Sequence, residues 1–199
     1  MNPVIAMKVA IIGKGNVGKA LCKGLKAAGH EVRFGHRDPK EPAKDAAEWG
    51  EVIVLAVPFS ECKKASKEIE RASEGKPVID ATNPLAPNGG LAIGFTTSAG
   101  EEVQKALPKA KVVKAFNYVF AQNMTSGKLG SERLTAFIAG DDQVAKGTAM
   151  KPASDIGFDP VDAGPLASSR YLEPMAGLII ALGYGQKMGR DIGFKLARK

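Results

Sequence analysis

The chain has 199 residues, of which 44% are hydrophobic and 25% are charged, and its formal net charge is +7 at pH 7. This is the composition of an ordinary globular protein that can bury one good core. Two distant cysteines and two histidines make no metal-ligand cluster. The longest apolar run near the end, 175–182, is too short to span a bilayer, and no aromatic residues interleave with the lysines as in a single-strand nucleic-acid binder.

Strand and helix patterns alternate along the whole chain. The first strand is a near-continuous apolar run, 8–12, and the first helix keeps its apolar residues on one face and ends at Gly29. Ser98, Asp141 and Asp142 stand at positions typical of helix N-caps. The predicted strands are 8–12, 31–34, 52–57, 77–80, 112–116, 134–139 and 161–163. The predicted helices are 17–28, 43–49, 60–72, 98–106, a helix after 142 to about 156, and 168–182.

Parallel strands need helical crossovers, so this alternation predicts an α/β fold. We expect a Rossmann-type, doubly wound, mostly parallel sheet with a small C-terminal helical portion. No linker interrupts the pattern. We therefore expect a single compact unit, with the Rossmann domain at 7–165 and a helical cap or interface segment at 166–199.

A glycine motif, GKGNVG, joins the first strand to the first helix, which is the context in which GxGxxG binds a dinucleotide. Gly13 allows the tight turn, Gly15 lets the backbone approach a pyrophosphate, and Gly18 permits close packing of helix on strand. The helix N-terminus then offers free N–H groups to the phosphates. A plain strand-to-helix turn is the alternative. The site residues that follow from the motif are Gly13, Lys14, Gly15, Asn16, Val17 and Gly18.

The end of the second strand selects the coenzyme. An NAD enzyme usually has an acidic residue there, which bonds the ribose 2′-hydroxyl. Here the strand ends at Gly35 and is followed by His36 and Arg37, and the acid that comes next belongs to an Asp-Pro pair typical of a turn. Arg37 offers a planar fork for a 2′-phosphate, to which Lys14 and Lys40 can add charge. The pattern favours NADP over NAD, with a solvated loop arginine as the alternative.

Seven motifs follow one another in order from residue 7 to about 182. They are MKVAIIGKGNVGKAL, FGHRDP, VIVLAVPF, ATNPL, VVKAFNYVFA, FIAGDD and VDAGPLASSRYLEPMAGLII. Together they resemble the coenzyme F420-dependent NADP oxidoreductase family, whose pattern the cytosolic reductase domains of the six-transmembrane metalloreductases share. The segment with DAGPL and the following SR is the most distinctive part.

The resemblance implies an NADP-binding Rossmann domain in a protein that is usually dimeric, with NADP lying across the strand tips. The glycine loop would hold the pyrophosphate, and His36 and Arg37 the 2′-phosphate. Loops after the third to fifth strands would surround the nicotinamide side, through Val57, Pro58, Phe59, Asn83 and Asn117. This agrees with the rule that ligands bind outside the carboxyl ends of the strands.

One departure from the family pattern concerns the electron acceptor. Where a histidine is expected in the deazaflavin-reducing members, this chain has Asn117, which is more similar to the metalloreductase domains and their bacterial relatives that pass hydride to a flavin. Asn117 can hydrogen-bond the nicotinamide amide or the acceptor ring, or it satisfies its own turn. Tyr118 flanks the rings or is a core aromatic. These two residues are the acceptor-side candidates.

No nucleophile–base–acid constellation is visible, which fits hydride transfer because that chemistry belongs to the cofactors and needs no metal. We expect an NADPH-dependent oxidoreductase with a flavin-like small-molecule acceptor, coenzyme F420 or FMN/FAD. The alternatives are an NADPH-dependent reductase of another small organic substrate and a non-catalytic NADP-binding sensor.

The expected partners are small molecules and a second copy of the chain, with no nucleic acid and no membrane span. Tyr171 and Met175 share one face of the last helix at i, i+4 spacing. They line an acceptor pocket or a homodimer seam, and we favour the seam. Cys22 and Cys62 form no CxxC motif and fit free thiols in a reducing cytoplasm.

Overall fold

A computed structural model of the chain describes residues 5–86 and 90–198. Within those residues strands and helices alternate as the sequence predicts. The strands are β1 (Lys8–Ile12), β2 (Glu31–Gly35), β3 (Val52–Leu55), β4 (Pro77–Asp80), β5 (Lys111–Lys114), β6 (Lys128–Leu129), β7 (Glu132–Arg133), β8 (Thr135–Gly140) and β9 (Asp159–Asp162). The helices are α1 (Asn16–Ala27), α2 (Ala43–Trp49), α3 (Phe59–Ile69), α4 (Ala99–Ala106), α5 (Gln143–Ile156) and α6 (Ser169–Ile180).

The main sheet has the strand order β2-β1-β3-β4-β5-β8-β9. All neighbouring pairs in it are parallel except β5 and β8, which are antiparallel. The prediction of a doubly wound, mostly parallel α/β sheet is therefore confirmed. From β1 the chain moves outward to β2 and then returns to β3 on the other side of β1. This reversal opens a crevice at the carboxyl ends of β1 and β3, where such sheets bind their ligands.

The apolar runs of the central strands fill two cores, one on each face of the sheet. In β1, Val9 and Ile11 belong to the core under α1 and α5, and Ala10 and Ile12 belong to the core under α2, α3 and α4. Both faces are covered, so the strand is apolar at every buried position instead of alternating with polar residues. This three-layer arrangement fixes the strand ends against which the site is built.

The sequence predicts a strand at 134–139, where β8 lies, but it does not predict that β8 is antiparallel to β5. No α-helix crosses over between β5 and β8 in the described chain; residues 115–134 carry a 3₁₀ turn (Ala121–Thr125) and the hairpin β6–β7 instead. The 3₁₀ turn packs on α1 so closely that a Cβ on Gly24 would lie 2.9 Å from the Thr125 carbonyl oxygen. Without a helical crossover the chain re-enters the sheet in the opposite direction.

Two inner strands of the sheet end earlier than predicted, and both ends lead into the site. β3 ends at Leu55 and β5 at Lys114, each two residues before the predicted end. After β5 the backbone enters the left-handed region at Phe116, where φ is 64°. That conformation is uncommon for a bulky residue, and it directs the chain away from the sheet. The last helix ends at Ile180 and continues as a π-helical turn, Ala181–Gly185.

The C-terminal segment packs back on the sheet. Thr135 donates its backbone N–H to the carbonyl of Phe194, and its hydroxyl accepts from the N–H of Leu196. Asn123 donates from its side chain to the carbonyls of Arg190 and Ile192. The division into a Rossmann domain and a C-terminal segment at residue 165 stays a prediction. Lys199, the last residue of that segment, lies outside the described range. Among the described helices, none has the length and apolar character to cross a membrane.

Candidate functional site

The glycine loop holds three strand ends together. Gly13 has a φ of 113°, and a Cβ there would lie 2.2 Å from the Ala56 carbonyl oxygen at the end of β3. Its N–H donates to the carbonyl of Gly35 at the end of β2, 2.9 Å away. A Cβ on Gly18 would lie 2.2 Å from the Gly13 carbonyl oxygen. Only glycine meets these contacts, so the loop is as tight as the motif predicts.

The N-terminus of α1 is open and uncapped. Its N-cap residue, Gly15, makes no side-chain hydrogen bond, and the first turn carries no acidic residue. A Cβ placed on Gly15 would meet nothing within 4 Å. The first N–H groups of the helix and its positive dipole end therefore face free space, an arrangement that suits a phosphate.

A first recess, about 250 Å³ in volume, lies beside this helix end at the carboxyl ends of β1, β2 and β3. It occupies the crevice that the strand order opens. Of the predicted site residues it brings together Gly13, Lys14, Gly15, His36, Arg37, Val57 and Pro58. The wall opposite the basic residues comes from α3 and includes Glu61, Lys64 and Glu68.

Carboxylates pair with three of the four basic residues assigned to the 2′-phosphate, namely Lys14, His36 and Arg37. Glu41 Oε2 lies 2.7 Å from Lys14 Nζ and 2.5 Å from His36 Nε2. Arg37 Nη2 lies 3.0 Å from Glu61 Oε2. The bond from Lys14 and then the bond from His36 hold the pKa of the Glu41 carboxyl below its ordinary value. The sequence analysis named neither glutamate, and Glu41 stands only four positions after Arg37 in a segment interpreted as a turn.

Lys40 and Phe59 are among the predicted site residues that lie outside the first recess. Lys40 lies in a separate depression beside Glu41, and its backbone N–H donates to Asp38 Oδ1. Phe59 begins α3 and lines a groove between α3 and α4 that includes Val103. Their roles in coenzyme binding stay predictions.

A second recess, also about 250 Å³, adjoins the same glycine loop. Asn16 and Val17, the first residues of α1, form part of its wall. Asn83 and Asn117 line it as well, so the five residues assigned to the nicotinamide side divide between the two recesses and the groove that holds Phe59. Most of the remaining wall is apolar and comes from the chain after β5 and from α6, including Phe120, Met124, Ala176 and Ile179.

Asn83 and Asn117 form a reciprocal amide pair across this recess. Asn83 Nδ2 donates to the main-chain carbonyl oxygen of Asn117 at 2.6 Å. In return, Asn117 Nδ2 donates to the side-chain Oδ1 of Asn83 at 3.0 Å and to the main-chain carbonyl of Leu172 at 2.8 Å. Asn117 is only 5% exposed, and its Oδ1 is buried without a hydrogen-bond partner. A buried acceptor without a partner is costly, and this oxygen would gain a partner if ligand binding opened the recess to it.

Tyr118 borders the second recess, but its hydroxyl bonds to the core. The side chain is buried, and the hydroxyl donates to the carbonyl of Thr135 and accepts from the N–H of Phe137. Burial raises the pKa of this phenol, and the bond from Phe137 opposes that shift only in part. Of the two sequence interpretations, the geometry favours the core aromatic.

A fully buried charge cluster lies behind the amide pair. Lys114 Nζ lies 2.9 Å from Asp80 Oδ2, 2.8 Å from Glu173 Oε1 and 2.6 Å from the Thr82 carbonyl. Burial alone would lower the pKa of the Lys114 ammonium, but the two carboxylates outweigh that effect and raise it. Glu173 also accepts the N–H groups of Ala99 and Gly100 at the start of α4. The cluster therefore ties α6 to β4, β5 and α4.

Sequence reasoning missed this cluster, although a signal for it exists. Asp80 and Lys114 each end a strand directly after two buried apolar residues, so each needs a charged partner. Glu173 lies 59 residues beyond Lys114, and nothing local connects them. Other expectations hold: Ser98 and Asp142 cap α4 and α5 with their side chains, and both cysteines are free and buried on helices.

Comparisons with known proteins agree with this geometry. A family model described as NADP oxidoreductase, coenzyme F420-dependent, matches residues 8–44 and 39–84. The metalloreductase STEAP3 of Rattus norvegicus is 32% identical over 183 residues, which are 86% of this chain and 36% of that protein. The chain thus spans just over a third of the length of that relative.

Two further relatives are matched over most of their own length. The F420-dependent NADP reductase of Methanocaldococcus jannaschii is 30% identical over 154 residues, which are 72% of this chain and 67% of the reductase. A solved structure from Arthrobacter sp. FB24, whose assignment as an F420-dependent NADP reductase is provisional, matches with a TM-score of 0.90. The two sequences are 29% identical, and the match covers 97% of this chain and 100% of the Arthrobacter chain.

The expected enzyme class, an NADP-dependent oxidoreductase, and the expected NADP coenzyme are confirmed at the level of the family. The glycine loop, the crevice beside it and the match across two thirds of a known reductase lead to one conclusion: this chain belongs to the family of coenzyme F420-dependent NADP oxidoreductases.

Proposed function

We propose that this chain transfers a hydride between NADP(H) and a flavin-like acceptor. One observation carries the proposal: the two recesses share the glycine loop as a common wall. Gly13, Lys14 and Gly15 line the first recess, and the next two residues, Asn16 and Val17, line the second. A dinucleotide whose pyrophosphate lies on this loop would place one nucleotide in each recess.

The first recess fits the adenosine half of NADP(H). Lys14 and Arg37 supply positive charge, and His36 a ring N–H, where the ribose 2′-phosphate would lie, and the planar guanidinium suits a phosphate. Lys14 Nζ also lies 5.4 Å from the centre of the Phe34 ring, which limits where the ammonium can move.

The second recess fits the nicotinamide half. The Asn117 Oδ1 is a buried acceptor without a partner, and a nicotinamide carboxamide carries N–H groups that would satisfy it. Asn117 is held by Asn83 and by the Leu172 carbonyl, so its oxygen has a fixed direction. Because Oδ1 is closed to solvent in the empty protein, the side chains around it must move before a carboxamide can reach it.

The side chains support a mechanism based on positioning. Bound NADPH supplies the hydride, and the described residues of the second recess include no carboxylate and no histidine. The Tyr118 hydroxyl is bonded within the core, and its raised pKa keeps it protonated at neutral pH. The chain's contribution is therefore to hold two rings in contact and to exclude water with the apolar wall.

The acceptor is the finer part of the proposal. Phe120 and Tyr184 meet edge to face at the second recess, with their ring centres 5.8 Å apart. Arg190 is the one charged residue among the described wall residues. Flat aromatic walls with a single cation suit a planar ring that has an anionic tail, as in coenzyme F420, FMN and FAD.

The test is anaerobic oxidation of NADPH by the purified protein, with coenzyme F420, FMN, FAD and no acceptor run in parallel and NADH as the control. We expect rapid oxidation with at least one of the three acceptors and slower oxidation of NADH. Turnover with F420 alone would identify a deazaflavin reductase in which Asn117 replaces the expected histidine. Turnover with FMN or FAD alone would identify a flavin reductase.

Two other outcomes would overturn the proposal. NADPH binding without oxidation in any of the reactions would favour the sensor interpretation. Turnover only after a different organic substrate is supplied would favour a reductase of another class, which this fold also hosts.

We further propose that the chain forms a homodimer through α6 and the turn that follows it. Tyr171 is 75% exposed and Leu178 is 51% exposed, one above the other on the same face. Met175, which the sequence placed in the seam, is half-buried against the core. Analytical ultracentrifugation of the unaltered protein and of Leu178→Glu would test this proposal. A dimer is expected only for the unaltered protein.

A cytoplasmic location stays a prediction.

A further inference from the structure

Two basic residues of the first recess have a carboxylate partner, Glu41, which lies beside the recess and lines the neighbouring depression. Glu41 Oε2 accepts from both Lys14 and His36, the two basic residues that flank the end of β1 and the end of β2. A coenzyme with a 2′-phosphate therefore meets two groups that are already paired. A coenzyme without the phosphate has no need of either group.

The hydrogen bonds of the His36 ring show why the Glu41 carboxylate and a 2′-phosphate would compete for it. Its Nδ1 lies 3.3 Å from the backbone N–H of Asp38 and accepts from it, so Nε2 carries the proton that is donated to Glu41. In that state neither ring nitrogen can donate to a phosphate. The Lys14 ammonium has further N–H groups, but its charge is neutralised at 2.7 Å by the same carboxylate.

The Glu41 carboxylate can rotate into solvent when a phosphate displaces it. The Glu41 side chain is 40% exposed and borders a separate depression on the outer side of the loop. A rotated Glu41 would therefore enter water and would not become a buried, unpaired charge. The backbone stays in place because the His36 N–H donates to the Glu41 main-chain carbonyl, 2.8 Å away.

We propose that Glu41 is a specificity-determining residue that occupies the 2′-phosphate site of the empty protein and must be displaced by that phosphate. The inference rests on the proposed binding of NADP(H) in the first recess. Glu41 then lowers the affinity for NADPH and leaves that for NADH unchanged, so it narrows the preference between the two coenzymes.

The test is the isosteric variant Glu41→Gln, with dissociation constants for NADPH and NADH measured by calorimetry at about 0.15 M salt. We expect Glu41→Gln to bind NADPH about fivefold more tightly, as befits the loss of a partly exposed ion pair. Its affinity for NADH should change by less than about twofold. The preference for NADPH over NADH should widen accordingly.

A matched control separates pairing from overall charge. Glu70→Gln removes the same charge from an exposed position at the end of α3, outside both recesses, and Glu70 forms no ion pair among the described residues. It should leave both affinities within about twofold of the unaltered protein, because unpaired surface charges are screened at this salt concentration. Equal tightening in the two variants would overturn the proposal.

The remaining outcomes are also decisive. Weaker NADPH binding by Glu41→Gln would mean that Glu41 positions the cations, and unchanged binding would mean that the phosphate does not meet it. Either result overturns the inference and leaves the proposed function intact, provided that the unaltered protein binds NADPH. Failure of the unaltered protein to bind NADPH would overturn both.

Discussion

The two recesses are built in different ways, although they share one loop. The first is assembled from three short segments that each follow a strand, and its ion pairs are partly exposed. The second depends on Asn83, Asn117 and Leu172, which come from three distant parts of the chain, and on a fully buried charge cluster behind them. If the proposed function is right, the coenzyme's affinity is set by local, adjustable charges, and the reacting rings are held by a fixed, global network.

The difference follows from the cost of moving a charge. An exposed pair such as Lys14 and Glu41 is worth little and can exchange partners with a ligand. A buried pair cannot, because each charge left alone in the core is strongly destabilising. Recognition can therefore be changed by one surface substitution, but the geometry of the second recess cannot be changed without affecting the fold.

The largest expected effect comes from Lys114→Met. Methionine keeps the apolar stem and leaves the buried carboxylates of Asp80 and Glu173 without their cation, which should lower the free energy of unfolding by about 3–5 kcal/mol. Urea denaturation measures the loss. The control is Lys109→Met, which removes an exposed pair with Glu74 and should cost less than about 1 kcal/mol. Similar losses in the two variants would contradict the contrast between the recesses.

The next effect separates folding from binding within the glycine loop. Gly13→Ala should lower the unfolding free energy by about 2–3 kcal/mol, because its φ is 113° and its Cβ would meet the Ala56 carbonyl oxygen. In Gly15→Ala the added Cβ contacts nothing within 4 Å, so the substitution should lower the unfolding free energy by about 1 kcal/mol or less, the effect of changing a helix N-cap. It should still weaken NADPH binding, because its Cβ would occupy the space beside the helix end. Normal NADPH affinity in Gly15→Ala would place the pyrophosphate elsewhere.

The smallest effect concerns the docking of α6 on α4 and depends on pH. Arg170 forms a two-pronged pair with Glu101, and this bond, together with the Ser98 hydroxyl, lowers the pKa of the Glu101 carboxyl. Because the folded pKa is below the ordinary value of 4.5, the stabilisation is present above pH 4.5 and is lost as the pH falls through the lower value.

Arg170→Gln should therefore cost about 1 kcal/mol at pH 7, a modest value for a partly exposed pair. The stability curves of the variant and the unaltered protein should converge as the pH drops well below 4.5. Curves that stay parallel down to acid pH would mean that the pair contributes nothing that depends on the Glu101 charge.

The sequence predicts the first recess well because its signals are local. The apolar run of β1, the spacing of Gly13 and Gly18, and the basic pair after β2 all act within a few residues of one another. Each element forms where its own pattern places it, and the parallel sheet then brings the three strand ends together.

The second recess escapes prediction because its contacts are long-range. The partners of Lys114 lie 34 and 59 residues away, and only the folded chain brings them together. The hairpin β6–β7 has strands of two residues each, too short for an alternating pattern, and with it the antiparallel direction of β8 was missed. Glu41 was missed for another reason: it lies in a loop, where side-chain direction is not periodic.

The most direct test of the account is the binding of NADPH and NADH to the unaltered protein and to Arg37→Ala. Arg37 is exposed and contacts Glu61 alone among the ionic groups described, so its removal should leave the fold intact. We predict that NADPH binding weakens by about tenfold or more, the value of a charge-assisted bond to phosphate, and that NADH binding changes by less than about twofold. Equal losses for the two coenzymes would contradict a 2′-phosphate site in the first recess.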